Sequence, residues 1–266
     1  MGGDILSEIV EHKKEEVRTA RKRMPESLLK TNAAAVERCR PFSAALSRPG
    51  PSGVNVIAEI KRASPSKGPI RPDLSPADQA RIYERGGAAA ISVLTDRHYF
   101  KGSYNDLILA RNAVSLPVMR KDFIISTYQI YESRAFGADA VLLIVRILTA
   151  QQLREYLGLC AELGMDALVE VHSEEELTVA ALAGATVIGI NSRDLKTFQT
   201  DIKTTIRLAP RLAEGQIGVA ESGIHSKEDI DRIRTAGIFN FLIGESLMRA
   251  DDPERFLKAL VSGSVA

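Results

Sequence analysis

Apolar and polar positions along the chain repeat as one unit. A stretch with helical spacing ends in glycine, and a short run rich in Val, Ile, Leu and Ala follows. The unit appears as YERGGAAAISVLT around Gly87, SRAFGADAVLLIV around Gly137, AELGMDALVEV around Gly164, ALAGATVIGIN around Gly184 and RTAGIFNFLIG around Gly237. Glycine supplies the left-handed residue that closes a helix. The apolar runs hardly alternate, which is the pattern of parallel strands buried on both faces. Good caps open the helical stretches: Ser75-Pro76-Ala77-Asp78 and Ser226-Lys227-Glu228-Asp229 put serine at the cap and acids in the first turn.

Eight strands are predicted, at residues 54–61, 91–95, 118–123, 140–145, 167–171, 187–191, 218–221 and 239–244. Strands alternating with helices in this number predict an α/β fold, a single (β/α)8 TIM barrel. A doubly wound open sheet is the alternative. No GxGxxG or GxxxxGK[ST] loop follows the first strand, which counts against it. Residues 1–50 lie outside the eight units, and Ile5, Leu6, Ile9, Val10 and Val17 recur there at helical spacing. One or two extra N-terminal helices are predicted, packed on a barrel of residues 51–266 within one domain. They either cap its surface or roof one end of its active site.

Composition narrows the partners. The 266 residues are 45% apolar and 26% charged, which suits a globular protein, and a formal charge of +1 gives no reason to expect nucleic acid or an anionic membrane. The longest apolar run, residues 140–145, is strand-sized, so no membrane span is expected. The start, MGGDILSEIVEHKKE, has no signal-peptide pattern, and Leu6 stands where a myristoylation motif needs Ser or Thr. Cys39 and Cys160 form no CxxC and suit a reducing, cytoplasmic setting. His12, His98, His172 and His225 have no metal-ligand spacing, so no metal is expected.

The candidate chemistry lies at the strand ends, where barrels of this type carry it. In VNVIAEIKRASPSKG, alternation sets Ile57, Glu59 and Lys61 on one side and Val56, Ala58 and Ile60 on the other. The apolar side suits packing against helices, so Glu59 and Lys61 are predicted to face the barrel interior near its mouth. The third strand ends in Lys121 and Asp122. The fifth carries Glu170, with Leu168 and His172 on the same side, and the sixth ends in Asn191 and Arg193. The seventh ends in Glu221, Ser222 and Gly223, and the eighth in Gly244 and Glu245. Any one of these could be a structural ion pair. So many polar groups at one rim, where polarity is expensive unless paired or used, point to a catalytic site. Glycine-bearing loops after the last two strands suit phosphate.

The segments VIAEIKRASPSKG, SVLTDRHYFKGSYNDL, LPVMRKDFIISTYQIYESRAFGADAVLLIV, LVEVHSEEEL, IGINSRDLKTF, VAESGI and FLIGESLMR together resemble indole-3-glycerol-phosphate synthase, over essentially the whole chain. The resemblance implies a late step of tryptophan biosynthesis with no metal or organic cofactor. The ring of 1-(2-carboxyphenylamino)-1-deoxyribulose 5-phosphate closes, with loss of carbon dioxide and water, to indole-3-glycerol phosphate. That chemistry needs an acid at the ketone, a carboxylate near the cationic nitrogen, an acid for the departing hydroxyl and a base for a proton of the new ring. On this reading Lys121 is the general acid at the ketone, and Glu170 stabilises the cation or aids its protonation steps. Glu59 and Lys61 share the dehydration and the hold on the substrate carboxylate, and Asn191 holds hydroxyl or carbonyl groups. Ser64, Ser222, Gly223 and Gly244 hold the phosphate, with Lys61 or Arg193 as the cation, and Glu221 and Glu245 are substrate contacts. Phe100, Phe123 and Leu142 are candidates for the apolar slot of the aromatic ring, although Phe123 could be ordinary core. Neighbouring lysines and burial are expected to depress the lysine pKa, with Glu59 and Glu170 offsetting this. The SPSKG loop is expected to act as a lid. Rival readings are another phosphosugar barrel, such as a phosphoribosyl isomerase, and a barrel that only binds a phosphorylated metabolite. The first would use an Asp or Cys/Asp pair in place of the Glu and Lys residues, and the second would need no strand-borne acids.

Overall fold

The computed structural model describes residues 5–65, 67–194 and 199–262. The chain enters through three helices, α1 (Ile5–Arg23), α2 (Glu26–Ala35) and α3 (Phe42–Leu46). Strand β1 (Asn55–Ile60) follows, then a hairpin of β2 (Ala63–Ser64) and β3 (Gly68–Pro69). Helices and strands then alternate: α4 (Pro76–Arg85), β4 (Ala90–Leu94), α5 (Tyr104–Ala113), β5 (Val118–Lys121), α6 (Thr127–Ala135), β6 (Ala140–Ile144), α7 (Ala150–Glu162), β7 (Asp166–Val171), α8 (Glu174–Leu182), β8 (Val187–Asn191), α9 (Lys203–Leu208), β9 (Ile217–Glu221), α10 (Lys227–Arg234) and β10 (Asn240–Ile243). Helices α11 (Glu245–Arg249) and α12 (Pro253–Ser262) end the chain's described part. All strands except β2 and β3 pair in parallel around a closed barrel in the order β1-β10-β9-β8-β7-β6-β5-β4, with β4 returning to β1. This is the eightfold barrel expected from the repeat. Among the described residues, no helix is long and apolar enough to cross a membrane.

The local reasons are those the sequence carries. Ser75 and Ser226 accept from the backbone N–H of Asp78 and Asp229, and Ser226 forms a full capping box. Helix-closing glycines adopt left-handed backbone, as at Gly87 and Gly184 (φ 87° and 89°). Each barrel strand feeds two apolar layers. Ile57, Met119, Leu142, Leu168, Val187 and Leu242 fill the interior, while Val56, Ala58, Ile60, Val169 and Phe241 pack outward against the helices. The alternation read for β1 is therefore the observed one, with Glu59 on the inward side of a strand whose outward side is wholly apolar.

The extension has three helices where one or two were expected, and it closes both ends of the barrel. Helix α3 is a single short turn with no periodicity to detect, yet Phe42 and Leu46 are fully buried within the interior cluster. The main-chain N–H of Ser43 donates to Asp166 Oδ2 (2.8 Å) and that of Arg40 to Asp139 Oδ1 (2.9 Å). Those acids stand where β7 and β6 begin, so α3 plugs the N-terminal end. Helix α1 lies at the other end, where Ile5, Leu6 and Ile9 line the cavity at the barrel mouth.

One buried cation fastens α1 there. Lys13 is 2% exposed, and its Nζ lies 2.9 Å from Asp96 Oδ2, just past β4, and 2.9 Å from Asp122 Oδ1, just past β5. Burial alone would lower the lysine pKa, but Asp122, Asp96 and Glu16 together raise it well above the ordinary value. Asp122 is shared with Arg120, which is wholly buried on the outward side of β5 and also meets Glu132, Ser133 and Tyr104. Lys13→Met keeps most of the side-chain volume but leaves two buried carboxylates short of a cation. Stability should fall by about 3 kcal/mol or more, as for a broken buried ion pair, and urea unfolding measures it. A loss under about 1 kcal/mol would mean that Lys13 behaves as a surface charge.

Candidate active site

All the residues proposed from the sequence line one cavity at the C-terminal end of the barrel: Glu59, Lys61, Ser64, Phe100, Lys121, Phe123, Leu142, Glu170, Asn191, Arg193, Glu221, Ser222, Gly223, Gly244 and Glu245. Their placement follows from parity. Glu59, Lys121, Glu170, Asn191 and Glu221 are inward positions at or near the ends of β1, β5, β7, β8 and β9.

Lys121 is the centre of the cluster. Its Nζ lies 3.1 Å from Glu221 Oε2, 3.8 Å from Glu170 Oε2 and 3.9 Å from Glu59 Oε2. Glu59 also pairs with Lys61, at 2.7 Å from Oε1 to Nζ. The carboxylates change the expected lysine chemistry. Burial would lower the Lys121 pKa, but Glu221, Glu59 and Glu170 raise it well above the ordinary value. At Lys121 the acids thus outweigh the expected depression.

The acids themselves diverge. Burial pushes Glu59 up, but Lys61 and Lys121 hold it below the ordinary carboxylate range. Glu221 goes the other way. Burial lifts it to about 7, against the pull of Lys121 and with help from Glu170 and Glu59. One carboxyl is thus held ionised and its neighbour is poised near neutrality. Two glycines make room for them. A Cβ at Gly189, on β8, would collide with the carboxylate of Glu221, and one at Gly244 with that of Glu59. Gly244 therefore does more than serve a loop.

The rest of the cavity divides by chemistry. Phe100 and Phe123 face each other with ring centroids 6.2 Å apart, close to Leu142 and the α1 residues Leu6 and Ile9. Asp96 fixes this side by accepting from the backbone N–H of Tyr99 (2.7 Å) and Phe100 (3.3 Å) while it holds Lys13. On the other side β9 is followed by two consecutive left-handed residues, Ser222 (φ 65°) and Gly223 (φ 75°). A non-glycine residue in that region is strained. Helix α11 starts at Gly244 with no side-chain cap. Asn191 accepts from the Arg193 N–H (3.0 Å), which fixes its amide.

The loop after β1 is built on a hairpin. Ala63 pairs with Pro69, the Ile70 N–H donates to Arg62 O (2.7 Å), and Arg62 pairs with Asp106 (3.0 Å). Ser64 and Pro65 line the cavity, and Ser66 lies outside the described residues.

Of the two readings of the N-terminal helices, surface cap or roof over the site, the lining by Ile5, Leu6 and Ile9 fits the second. Other cavity residues escaped the sequence reading. His225 and Ser246, joined at 3.2 Å, lie on loop and helix residues beyond the strand ends. The signal for Arg120 was available: a charge on the outward side of a buried strand needs buried partners.

Glu221 takes up a proton on folding between pH 4.5 and about 7. Its contribution to stability is therefore largest at or below pH 4.5 and declines as pH rises to about 7. Glu221→Gln cannot titrate. The melting temperature of the variant, relative to the parent, should rise between pH 5 and pH 8, and a difference independent of pH would contradict the raised pKa.

Comparison with known proteins places this geometry in context. A family model described as indole-3-glycerol phosphate synthase matches residues 6–260. Proteins named indole-3-glycerol phosphate synthase from Desulfosudis oleivorans and Syntrophobacter fumaroxidans are 58% and 53% identical to the chain, over 260 and 263 residues. The alignments cover 97% and 99% of this chain and 99% of each relative. One from Carboxydothermus hydrogenoformans is 50% identical over 97% of this chain and 100% of its own length. Among solved structures, thiamine phosphate pyrophosphorylase from Pyrococcus furiosus matches with a TM-score of 0.60 at 16% identity, over 78% of this chain and 93% of that one. That last likeness concerns the fold alone.

Proposed function

Because the chain belongs to the indole-3-glycerol phosphate synthase family, we propose that its barrel mouth is where that family's ring closure runs. The activity is that of a carboxy-lyase of tryptophan biosynthesis, converting 1-(2-carboxyphenylamino)-1-deoxyribulose 5-phosphate to indole-3-glycerol phosphate, carbon dioxide and water. The observation that carries the assignment of roles is Lys121 held among Glu59, Glu170 and Glu221 beside an apolar slot.

The substrate aligns with the cavity by chemistry. Its aromatic ring takes the slot of Phe100, Phe123 and Leu142. Its phosphate takes the Ser222–Gly223 turn, Ser64 and the start of α11 at Gly244, with Arg193 nearby; Glu245 borders the same end. Asn191 holds the hydroxyls. Lys61, paired to Glu59, meets the carboxylate. The ring carbon that bears the carboxylate then attacks the ketone carbon, and Lys121 donates its proton to the ketone oxygen. Glu170 stabilises the positive nitrogen that results. Carbon dioxide leaves with its electron pair returned to the ring system. Dehydration removes the former ketone oxygen as water, with Lys61 and Glu59 at that step. Glu221 was read from the sequence as a substrate contact, but a carboxyl poised at about 7 suits the base that removes the last proton.

The reading extends to a small phosphorylated substrate, a single domain, a monomer and a cytoplasmic setting, with no nucleic acid or membrane partner and no cofactor. The extension supports the single domain, since it supplies both the floor and part of the mouth. Leu28, Leu109 and Leu182 are the exposed large apolar side chains among the described residues, and they lie on three separate helices. That scatter supports the monomer.

Turnover is directly visible. The chain has no tryptophan, so indole emission reports product without a protein background. Activity should persist in a chelator. Lys121→Ala should lower kcat by about 10²-fold or more with a much smaller change in KM, as for a lost general acid. A variant altered only in KM would remove Lys121 from that role.

Glu170→Gln keeps the shape of the carboxylate and removes its charge. Single-turnover rates should fall about 10²-fold or more, while the melting temperature changes little or rises, because charges held for catalysis often burden the fold. A lower melting temperature with a near-normal single-turnover rate would make Glu170 a structural ion-pair partner instead.

A further inference from the structure

Behind Glu170 stands a histidine that the roles above do not use. His172 follows two residues later on the same inward side, and its side chain is 6% exposed. Nε2 lies at ion-pair distance, 3.4 Å, from Glu170 Oε1 and makes no hydrogen bond among the described residues. The opposite edge of the ring is fixed. Nδ1 lies 3.2 Å from Glu176 Oε2, and the His172 main-chain N–H donates to the same oxygen at 2.8 Å. Glu176 belongs to the first turn of α8, capped by Ser173, and also accepts from Arg146 Nε (2.9 Å) on the short turn after β6. The ring is therefore clamped between two carboxylates, one inside the catalytic cluster and one leading outward.

The geometry decides where protons sit. A bare Nε2 facing a bare carboxylate oxygen would set two lone pairs against each other in a nearly dry place. One proton between Nε2 and Oε1 removes that conflict, whichever atom carries it. We propose that His172 is a positioning residue that shares a proton with Glu170, fixing the orientation of its carboxylate and setting its protonation during the reaction. The proposal rests on Glu170 acting in the ring closure. The proton balance is simple. A proton that Glu170 gives up to the cavity is replaced by the one from Nε2, and the next proton Glu170 takes up from the cavity sends that one back to Nε2, so the pair ends the cycle with the protons it began with. Glu176 holds the opposite edge throughout.

Every charged group that faces the ring fits this role. Glu170 and Glu176 favour the imidazolium and Arg146 opposes it, while Lys121 faces Glu170 from β5. Burial would lower the histidine pKa, but the hydrogen bond that the ring donates to Glu176 and the charge of Glu170 raise it above the ordinary value.

The test uses the full chain with three single variants and one double variant. His172→Phe keeps a planar ring and loses both nitrogens. It should lower kcat by about tenfold or more with KM within about threefold, and should move the acid limb of kcat against pH to higher pH. His172→Gln restores a donor but cannot titrate, so it should recover part of the rate without the original limb. In a Glu170→Gln background, His172→Phe should add little. Independently of turnover, the imidazole titration of His172 followed by NMR should shift to lower pH in Glu170→Gln. If Glu170→Gln is slow while His172→Phe and His172→Gln keep the parent rate and pH profile, the shared proton is refuted and the role of Glu170 stands. If Glu170→Gln itself turns over normally, the reading of the site fails and the proposal falls with it. Where His172→Phe does not fold, the NMR shift and His172→Gln decide. An unshifted titration, or a lower melting temperature with an unchanged pH profile, makes His172 structural only.

Discussion

Lys121 and its three carboxylates are the constraint around which the mouth of this barrel is organised. Three acids converging in a buried site repel each other and lose hydration, so they could not all be ionised there alone. One ammonium within 3.1 to 3.9 Å of each makes the arrangement possible. The compensation is unequal, and the inequality is useful. Glu59 has a second cation in Lys61 and stays ionised, whereas Glu221 leans on Lys121 and is left near neutrality. Two carboxyls on one rim thus differ in readiness to take a proton because they differ in neighbours.

A second layer of charge fixes the strand that carries Lys121. Its flanking residues, Arg120 and Asp122, tie into partners outside the barrel interior. Arg120 meets Glu132, Ser133 and Tyr104, and Asp122 meets Thr95, Arg120 and Lys13. Buried charges are a weak source of net stability but a strong source of specificity when every partner is in place. Here they fix the angle of β5 and the seat of α1 with the same carboxylate. The aromatic slot and the acid–base cluster are therefore located relative to each other through Asp122.

Most of this frame could be read from the chain. The barrel was legible because both faces of its strands are buried, so apolar runs are continuous and each closing glycine stands out. The acids and lysines were legible because a charge on the inward side of such a strand violates the pattern. Helix α3 was not legible: five residues carry no periodicity, and its burial depends on the shape of the barrel floor. Nor was the anchor at Lys13, which looks like one more charge on a helix until the fold brings Asp96 and Asp122 to it. The protonation of Glu221 was invisible for a related reason. It depends on Gly189 leaving space, on Lys121 from another strand and on the two other acids, none adjacent in sequence. Pattern reveals which side a residue faces, whereas pKa depends on what faces it.

The pairing of Lys121 with Glu221 links the two ends of the proposed reaction. The high pKa of Lys121 exists because the acids are ionised, and the pKa of Glu221 stays as low as about 7 because Lys121 is charged. When Lys121 hands its proton to the ketone oxygen, the strongest opposition to protonating Glu221 disappears. Its affinity for a proton then rises by the same interaction energy that had suppressed it, since coupling between two sites is reciprocal. The use of the acid thus strengthens the base. A proton gained by Glu221 in the later step can return to Lys121 across 3.1 Å, which resets both groups without a change in net charge. On the proposed mechanism, the contact that makes the buried acids tolerable would also carry the proton through the cycle.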